Sequence, residues 1–175
     1  MKKQELKNEL QKVHSEFAGY VLELNDTDFC FAYPAKWSAG QHLQHIVLSV
    51  GTLNRAIGNT DFMRPIAEME PQRLPFSIDE LSEVYRSVIK KGTQAPARFV
   101  PEVVQTGEKQ QIEDALHKVL AALCSHIDEY TEPQLDEFTL PHPFIGRLSL
   151  REMLYFTIYH AQHHFLLARQ NLEAL

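Results

Sequence analysis

Ser149-Leu150-Arg151-Glu152-Met153-Leu154-Tyr155-Phe156-Thr157-Ile158-Tyr159-His160-Ala161-Gln162-His163-His164-Phe165-Leu166-Leu167-Ala168-Arg169 is the stretch on which the reading of this chain turns. Ser149 and Glu152 form a capping box, so a helix is expected from Ser149 to about Asn171. His160 and His164 then stand at i and i+4, roughly 40° apart on the wheel at about 100° per residue. Met153, Phe156 and Leu167 share that face, while Arg151, Gln162 and Arg169 fall opposite. The pair therefore lies in the apolar stripe and faces inward, where two imidazoles can reach one metal ion. His163 sits about 60° to one side, at the stripe's edge. Ala161 stands where an HExxH helix carries its glutamate, so zincin protease chemistry is excluded. An i,i+4 pair alone is equally compatible with core histidines satisfied by neighbours, and a third ligand is needed to decide.

Working outward, four more helices follow from apolar periodicity and caps. The first spans about Lys3 to Leu24, with Leu6, Leu10, Val13, Phe17, Tyr20 and Leu24 on one face. The second begins at Ser38, boxed with Gln41, and runs to Ala56 or Ile57. The third begins at Ser77, boxed with Glu80, and runs to about Lys91. The fourth spans about Lys109 to Glu129. Loops holding Pro65, Pro71 and Pro75, a crossover from Thr93 to Gly107, and a proline-rich loop from Thr131 to Leu148 connect them. No segment alternates as a strand does, so an all-α chain forming a single domain over residues 1–175 is expected, with the Ser77 helix as a short extra element. On the second helix Ser38, Gln41, Ser49, Thr52 and Ala56 lie within roughly 40° of His45, a row of small and polar side chains that lines a cavity or faces solvent. His42, about 60° away, is the competing candidate.

Acidic residues outnumber basic ones 23 to 17 for a net charge of −6, which argues against a nucleic-acid partner. No run reaches the roughly 18 to 20 apolar residues of a membrane span. The first residues carry lysines but no apolar core behind them, so no secretory signal is read and a cytoplasmic location is expected. Cys30 and Cys124 are far apart, outside any CxxC, and read as free thiols.

Two segments resemble the DinB-like superfamily, which includes the YfiT-like proteins. One is Trp37-Ser38 followed by His45-Ile46-Val47-Leu48. The other runs from Pro141 to Arg169, with His142-Pro143, Gly146, Ser149-Leu150-Arg151-Glu152 and His160, His163 and His164 in order. The spacing between them agrees over essentially the whole chain. The resemblance implies a four-helix bundle in up-down-down-up order, a homodimer, and a metal held by one histidine of the second helix and two of the last, here His45, His160 and His164. His163 resembles an accompanying histidine and is not carried over as a ligand. The continuation Phe165-Leu166-Leu167-Ala168 departs from the more polar Gly-Gln of many relatives, which bears on the adjacent pocket.

Three neutral imidazoles leave a divalent transition metal open to a further ligand, as in catalytic rather than structural sites. Zinc or nickel is preferred, with iron, cobalt, manganese or copper as alternatives. The leading expectation is a transferase that activates a low-molecular-weight thiol cofactor for attack on an electrophilic small-molecule substrate. A metal-dependent hydrolase and a non-catalytic metal- or ligand-binding stress protein are the alternatives. Arg147 and Arg151 are candidates to attract an anionic thiol. Glu152 reads as a cap, Tyr159 and Tyr33 as candidate donors, Trp37 as a hydrophobic staple, and Phe29-Cys30-Phe31-Ala32-Tyr33-Pro34 as an apolar loop over the core or the site. Asp114, Asp128, Glu129 and Glu132 read as a solvated helix face.

Overall fold

The three expected capping boxes all form in the computed structural model, which describes residues 1–59, 64–65 and 74–173. Ser38 Oγ accepts the Gln41 N–H at 3.1 Å, Ser77 Oγ that of Glu80 at 3.3 Å, and Ser149 Oγ that of Glu152 at 3.2 Å. Each satisfies backbone donors that the first helical turn leaves without a partner. The long helices accordingly begin and end close to where periodicity and caps place them. These are α1 (Lys3–Glu23), α3 (Ala39–Ile57), α5 (Lys109–Glu129) and α7 (Leu150–Glu173), with α4 (Ile78–Lys90) shorter.

Their apolar stripes meet in one core. Leu6, Leu10, Phe17 and Val21 of α1, Leu43 and Ile46 of α3, Leu116, Leu123 and Ile127 of α5, and Leu154, Ile158 and Ala161 of α7 are all buried. Helix α1 packs on α5 and α7, α3 packs on the same two, and α4 lies along α7. Among the described residues no helix is long and apolar enough to cross a membrane.

Three features depart from the sequence expectation. First, the chain is not wholly helical. β2 (Phe138–His142) and β3 (Gly146–Ser149) form an antiparallel hairpin, and the two-residue β1 (Arg64–Pro65) pairs on the other edge of β2. The hairpin falls inside the expected proline-rich loop. Its strands are too short for alternation to register, and Pro141 belongs to β2 itself. Pro141 stands opposite Arg147 of β3. Leu140 and Leu148 pair across the hairpin and are buried, and Gly146, at φ +94°, turns the chain into β3. Pro65, expected in a loop, lies in β1, and Pro71 lies outside the described residues. Second, the turn-rich cluster after α1 and part of the expected apolar loop form α2 (Asp26–Cys30), capped by Asn25 Oδ1, which accepts the Asp28 N–H at 2.9 Å. Phe29 of α2 is fully buried against Gly40, where an added Cβ would stand 2.6 Å from the ring. Third, α6 (Glu132–Glu137), boxed by Thr131 and Gln134, precedes β2.

The N-terminus of α7 is locked from two sides. Glu152 accepts the Ser149 N–H and, through its other oxygen, the Phe76 N–H, both at 2.7 Å. One buried carboxylate thus starts α7 and fixes the approach to α4, consistent with the capping role read from sequence. Arg151, on the opposite face, pairs with Asp136 and Glu132.

Candidate metal centre

Where α3 crosses α7, histidine side chains converge. His45 Nε2 lies 3.2 Å from His160 Nε2, and His160 Nε2 lies 3.1 Å from His164 Nε2. All three residues are buried, and among the described residues no fourth metal-binding side chain joins the cluster. Nitrogen atoms around a tetrahedral zinc, each about 2.0–2.1 Å from the ion, stand about 3.3 Å apart. Two edges of the cluster match that spacing, and all three ligand atoms lie within 4.8 Å of one another.

Proton accounting gives an independent test of fit. His45 Nδ1–H donates to the Phe99 carbonyl at 2.6 Å, and a carbonyl can only accept, so neutral His45 presents a bare Nε2. His160 Nε2 faces this nitrogen and His164 Nε2, and can donate one proton at most. In neutral rings at least one of the two N···N contacts is then not a hydrogen bond. A cation accepting all three lone pairs removes that conflict. The rings are neutral for a physical reason: burial, reinforced by neighbouring histidines, holds His160 and His164 well below the ordinary imidazole pKa. Burial also lowers His45, against the opposing bond to Phe99. Neutral imidazole is the ligating form.

The outer nitrogens are held as well. His164 Nδ1 lies 2.8 Å from His42 Nδ1, so His42 is tied to this pair without joining the cluster. Burial, with His45 and His163 adding to it, pushes His42 down to about 3. Neutral His42 can accept from His164 Nδ1–H, and that tautomer leaves His164 Nε2 bare for a metal. Trp37 does pack as the expected staple, with its ring 5.6 Å from that of His42. The same indole also lies 4.9 Å from His45 and stacks on His164 at 6.0 Å, so it roofs the cluster.

The cluster opens into a cavity of about 890 Å³. Ser49, Thr52 and Ala56, the small and polar row beside His45, line it. His163 lies on its wall, half-buried and outside the three-nitrogen cluster. Tyr85, Phe99, Phe144 and Phe156 supply aromatic wall. Periodicity places Tyr85 four residues after Leu81 on the apolar stripe of α4, which reads as core rather than as cavity wall. Its ring lies 5.8 Å from His160 and 6.0 Å from His163, and burial pushes its hydroxyl up to about 12. His142 also lines the cavity. Its Nδ1 accepts the Phe144 and Ile145 N–H groups at 3.2 and 3.3 Å, which leaves Nε2–H as a donor, and burial lowers it to about 4. His14 of α1 is wholly buried on the cavity's inner side. Its Nδ1–H donates to the Leu10 carbonyl at 2.7 Å, and its Nε2 has no partner among the described residues.

Several candidates lie elsewhere. Arg147 is bonded to the Thr139 hydroxyl and carbonyl, and Arg151 is held by carboxylates on the far face of α7, so neither lines the cavity. Tyr159 packs beside Tyr85 and His163 without lining it, and Tyr33 packs on Phe31. The segment expected to cover the site is displaced by a few residues: Ala35, Lys36 and Trp37 border the cavity instead. The acidic helix face is partly engaged: Asp128 pairs with Lys7, and Glu132 pairs with Arg151. Cys30 and Cys124 are free thiols, and burial raises both pKa values.

The family model of the DinB superfamily matches residues 9–168, a span that takes in every histidine of the cluster. Among solved structures, the crystal structure of an uncharacterized protein from Clostridium difficile 630 is similar, with a TM-score of 0.60 and 12% identity over 100% of this chain and 98% of that one. At that identity the likeness concerns the fold alone. No curated protein matches the chain.

Proposed function

We propose that this chain, which belongs to the DinB superfamily, is a metal-dependent transferase that joins a low-molecular-weight thiol to an electrophilic small molecule. The observation that carries the reading is the convergence of the His45, His160 and His164 Nε2 atoms at 3.1–3.2 Å on the floor of an open, largely apolar cavity. His45, His160 and His164 are the proposed ligands, and zinc or nickel suits three imidazoles. A divalent ion held there supplies a Lewis acid that lowers the pKa of a bound thiol or water toward neutrality.

The chain's own residues do the rest. The Phe99 carbonyl and His42 fix the rings of His45 and His164 through their outer nitrogens. Trp37 shields the cluster from one side. Tyr85 and His142 offer an O–H and an Nε2–H to polar atoms of a substrate lying against Phe156. The four long helices fit an up-down-down-up bundle forming one domain, and a homodimer in the cytoplasm is the assembly proposed with it.

The test is incubation of metal-loaded protein with a panel of cellular thiols and a chlorinated or epoxide electrophile, followed by mass spectrometry of the products. A thioether conjugate that depends on the metal and vanishes in His160→Ala supports the reading. Absence of a conjugate with every thiol refutes it, and metal uptake without turnover reduces the site to a binding role.

A further inference from the structure

The cavity over the histidines inverts the charge balance of the chain. Acidic residues outnumber basic ones 23 to 17 overall. Among the described residues, the cavity wall nevertheless carries Lys36, Arg55 and Arg98 and no carboxylate. All three are exposed, and none of them is in an ion pair among the described residues. The three clustered histidines carry no negative charge that would offset them.

Two of these cations, Arg55 and Arg98, are arginines. Arg98 precedes Phe99, whose carbonyl anchors His45, and its guanidinium carbon stands 4.7 Å from the Phe99 ring. Arg55 follows His45 on α3 by about 15 Å of helix rise. Its Nη2 folds back to donate to Thr52 Oγ1 at 3.1 Å, on the row that lines the cavity. Leu53, Phe99 and Phe156 add apolar surface to the same wall, beside the Ser49 and Thr52 row of α3. Guanidinium groups in this position recognise carboxylates through paired N–H donors, while an apolar wall takes a hydrocarbon or aromatic body.

We infer that this cavity selects an elongated organic anion, whose apolar body lies against Phe99 and Phe156 and whose carboxylate is held at the rim by Arg55 and Arg98. The inference rests on the proposed function only in taking this cavity as the substrate chamber. The arginines, rather than the metal, read the negative charge.

The experiment compares 4-phenylbutanoate with its neutral isostere 4-phenylbutanamide on chelator-stripped full-length protein. Binding is followed by fluorescence of Trp37, the chain's one tryptophan and a cavity residue, and by calorimetry. The expected result is a carboxylate preference of about ten-fold, equivalent to about 1.4 kcal/mol. That preference shrinks as salt rises from about 20 to about 500 mM, because rim charges are screened. In the Arg55→Gln/Arg98→Gln double variant it falls below about three-fold while amide affinity stays unchanged, which also shows that the variant is folded. Equal binding of the two probes, a preference untouched in the double variant, or no binding of either at millimolar concentration overturns the inference. A preference seen only after zinc loading overturns it too, since it assigns the anion to the ion. Failure of the chain to bind metal leaves the stripped-protein measurement standing, so the two readings fail separately.

Discussion

Replacing His14 with leucine should flatten the acid limb of the chain's stability by about 2 kcal/mol. His14 is fully buried in α1, and burial lowers its pKa from 6.5 to about 4, against the raising effect of its bond to the Leu10 carbonyl. The folded value lies below the unfolded one, so the unfolded chain binds the extra proton as pH falls. Stability from this residue is complete above pH 6.5 and is lost as pH falls toward 4. For a group with those two values, linkage integrated from pH 7.5 down to about 5 gives a loss of about 2 kcal/mol. In His14→Leu this loss disappears. At pH 7.5 the variant should differ little from the parent, because one bond worth about 1 kcal/mol is lost while a buried acceptor without a partner is removed. Urea unfolding of chelator-treated protein at the two pH values measures both. If His14→Leu loses as much stability between pH 7.5 and 5 as the parent does, His14 is not the neutral buried group described here.

Three further outcomes are expected. His42→Ala should weaken zinc binding about 10- to 100-fold in a chelator competition, because His164 loses the acceptor that fixes its ring, and His42→Asn should recover part of it. Gly40→Ala should destabilise the fold by about 1–3 kcal/mol in thermal or urea unfolding, since its Cβ would meet the Phe29 ring. Saturating zinc or nickel at about 100 times Kd should stabilise the protein by about 2.7 kcal/mol, read as a rise in Tm that is absent in His160→Ala.

Much of the architecture was legible because it is local. Ser38, Ser77 and Ser149 mark three helix starts by pairing with a glutamine or glutamate three residues on, and that signal lies within four residues of sequence. The inward turn of His160 and His164 is legible for the same reason, since one helix wheel contains both. His45 was different. Nothing within α3 ranks it above His42, because both are buried and the distinction is made across the helix interface, where one ring reaches His160 and the other reaches only the outer nitrogen of His164. Resemblance to the superfamily favoured His45 where periodicity could not. The hairpin of β2 and β3 was hidden by its brevity and by Pro141. Tyr85, His142 and His14 were missed because their roles depend on which elements pack over the cavity. Arg147 and Arg151 were assigned to the site by closeness in sequence to α7, but Arg151 projects from the opposite face of the helix.

The buried histidines also bear on why such a site persists in a small core. His14, His42 and His142 are each held neutral by burial, at about 4, 3 and 4, so each opposes folding as pH drops below the ordinary imidazole value. A leucine or phenylalanine at any of these places would avoid that penalty and pack the core as well. The arrangement is therefore explained by what the polar atoms do. His42 bonds a cluster nitrogen, His142 turns an N–H toward the cavity, and three Nε2 atoms face one another with too few protons to share. A cation bound to those three nitrogens would replace their unsatisfied contacts with bonds that tie α3 to α7. A metal held there would couple its binding to folding. Stripping the metal should lower the acid stability of the parent more than that of a variant in which His160 is alanine, and equal losses in the two proteins would show that the cluster contributes nothing to the coupling.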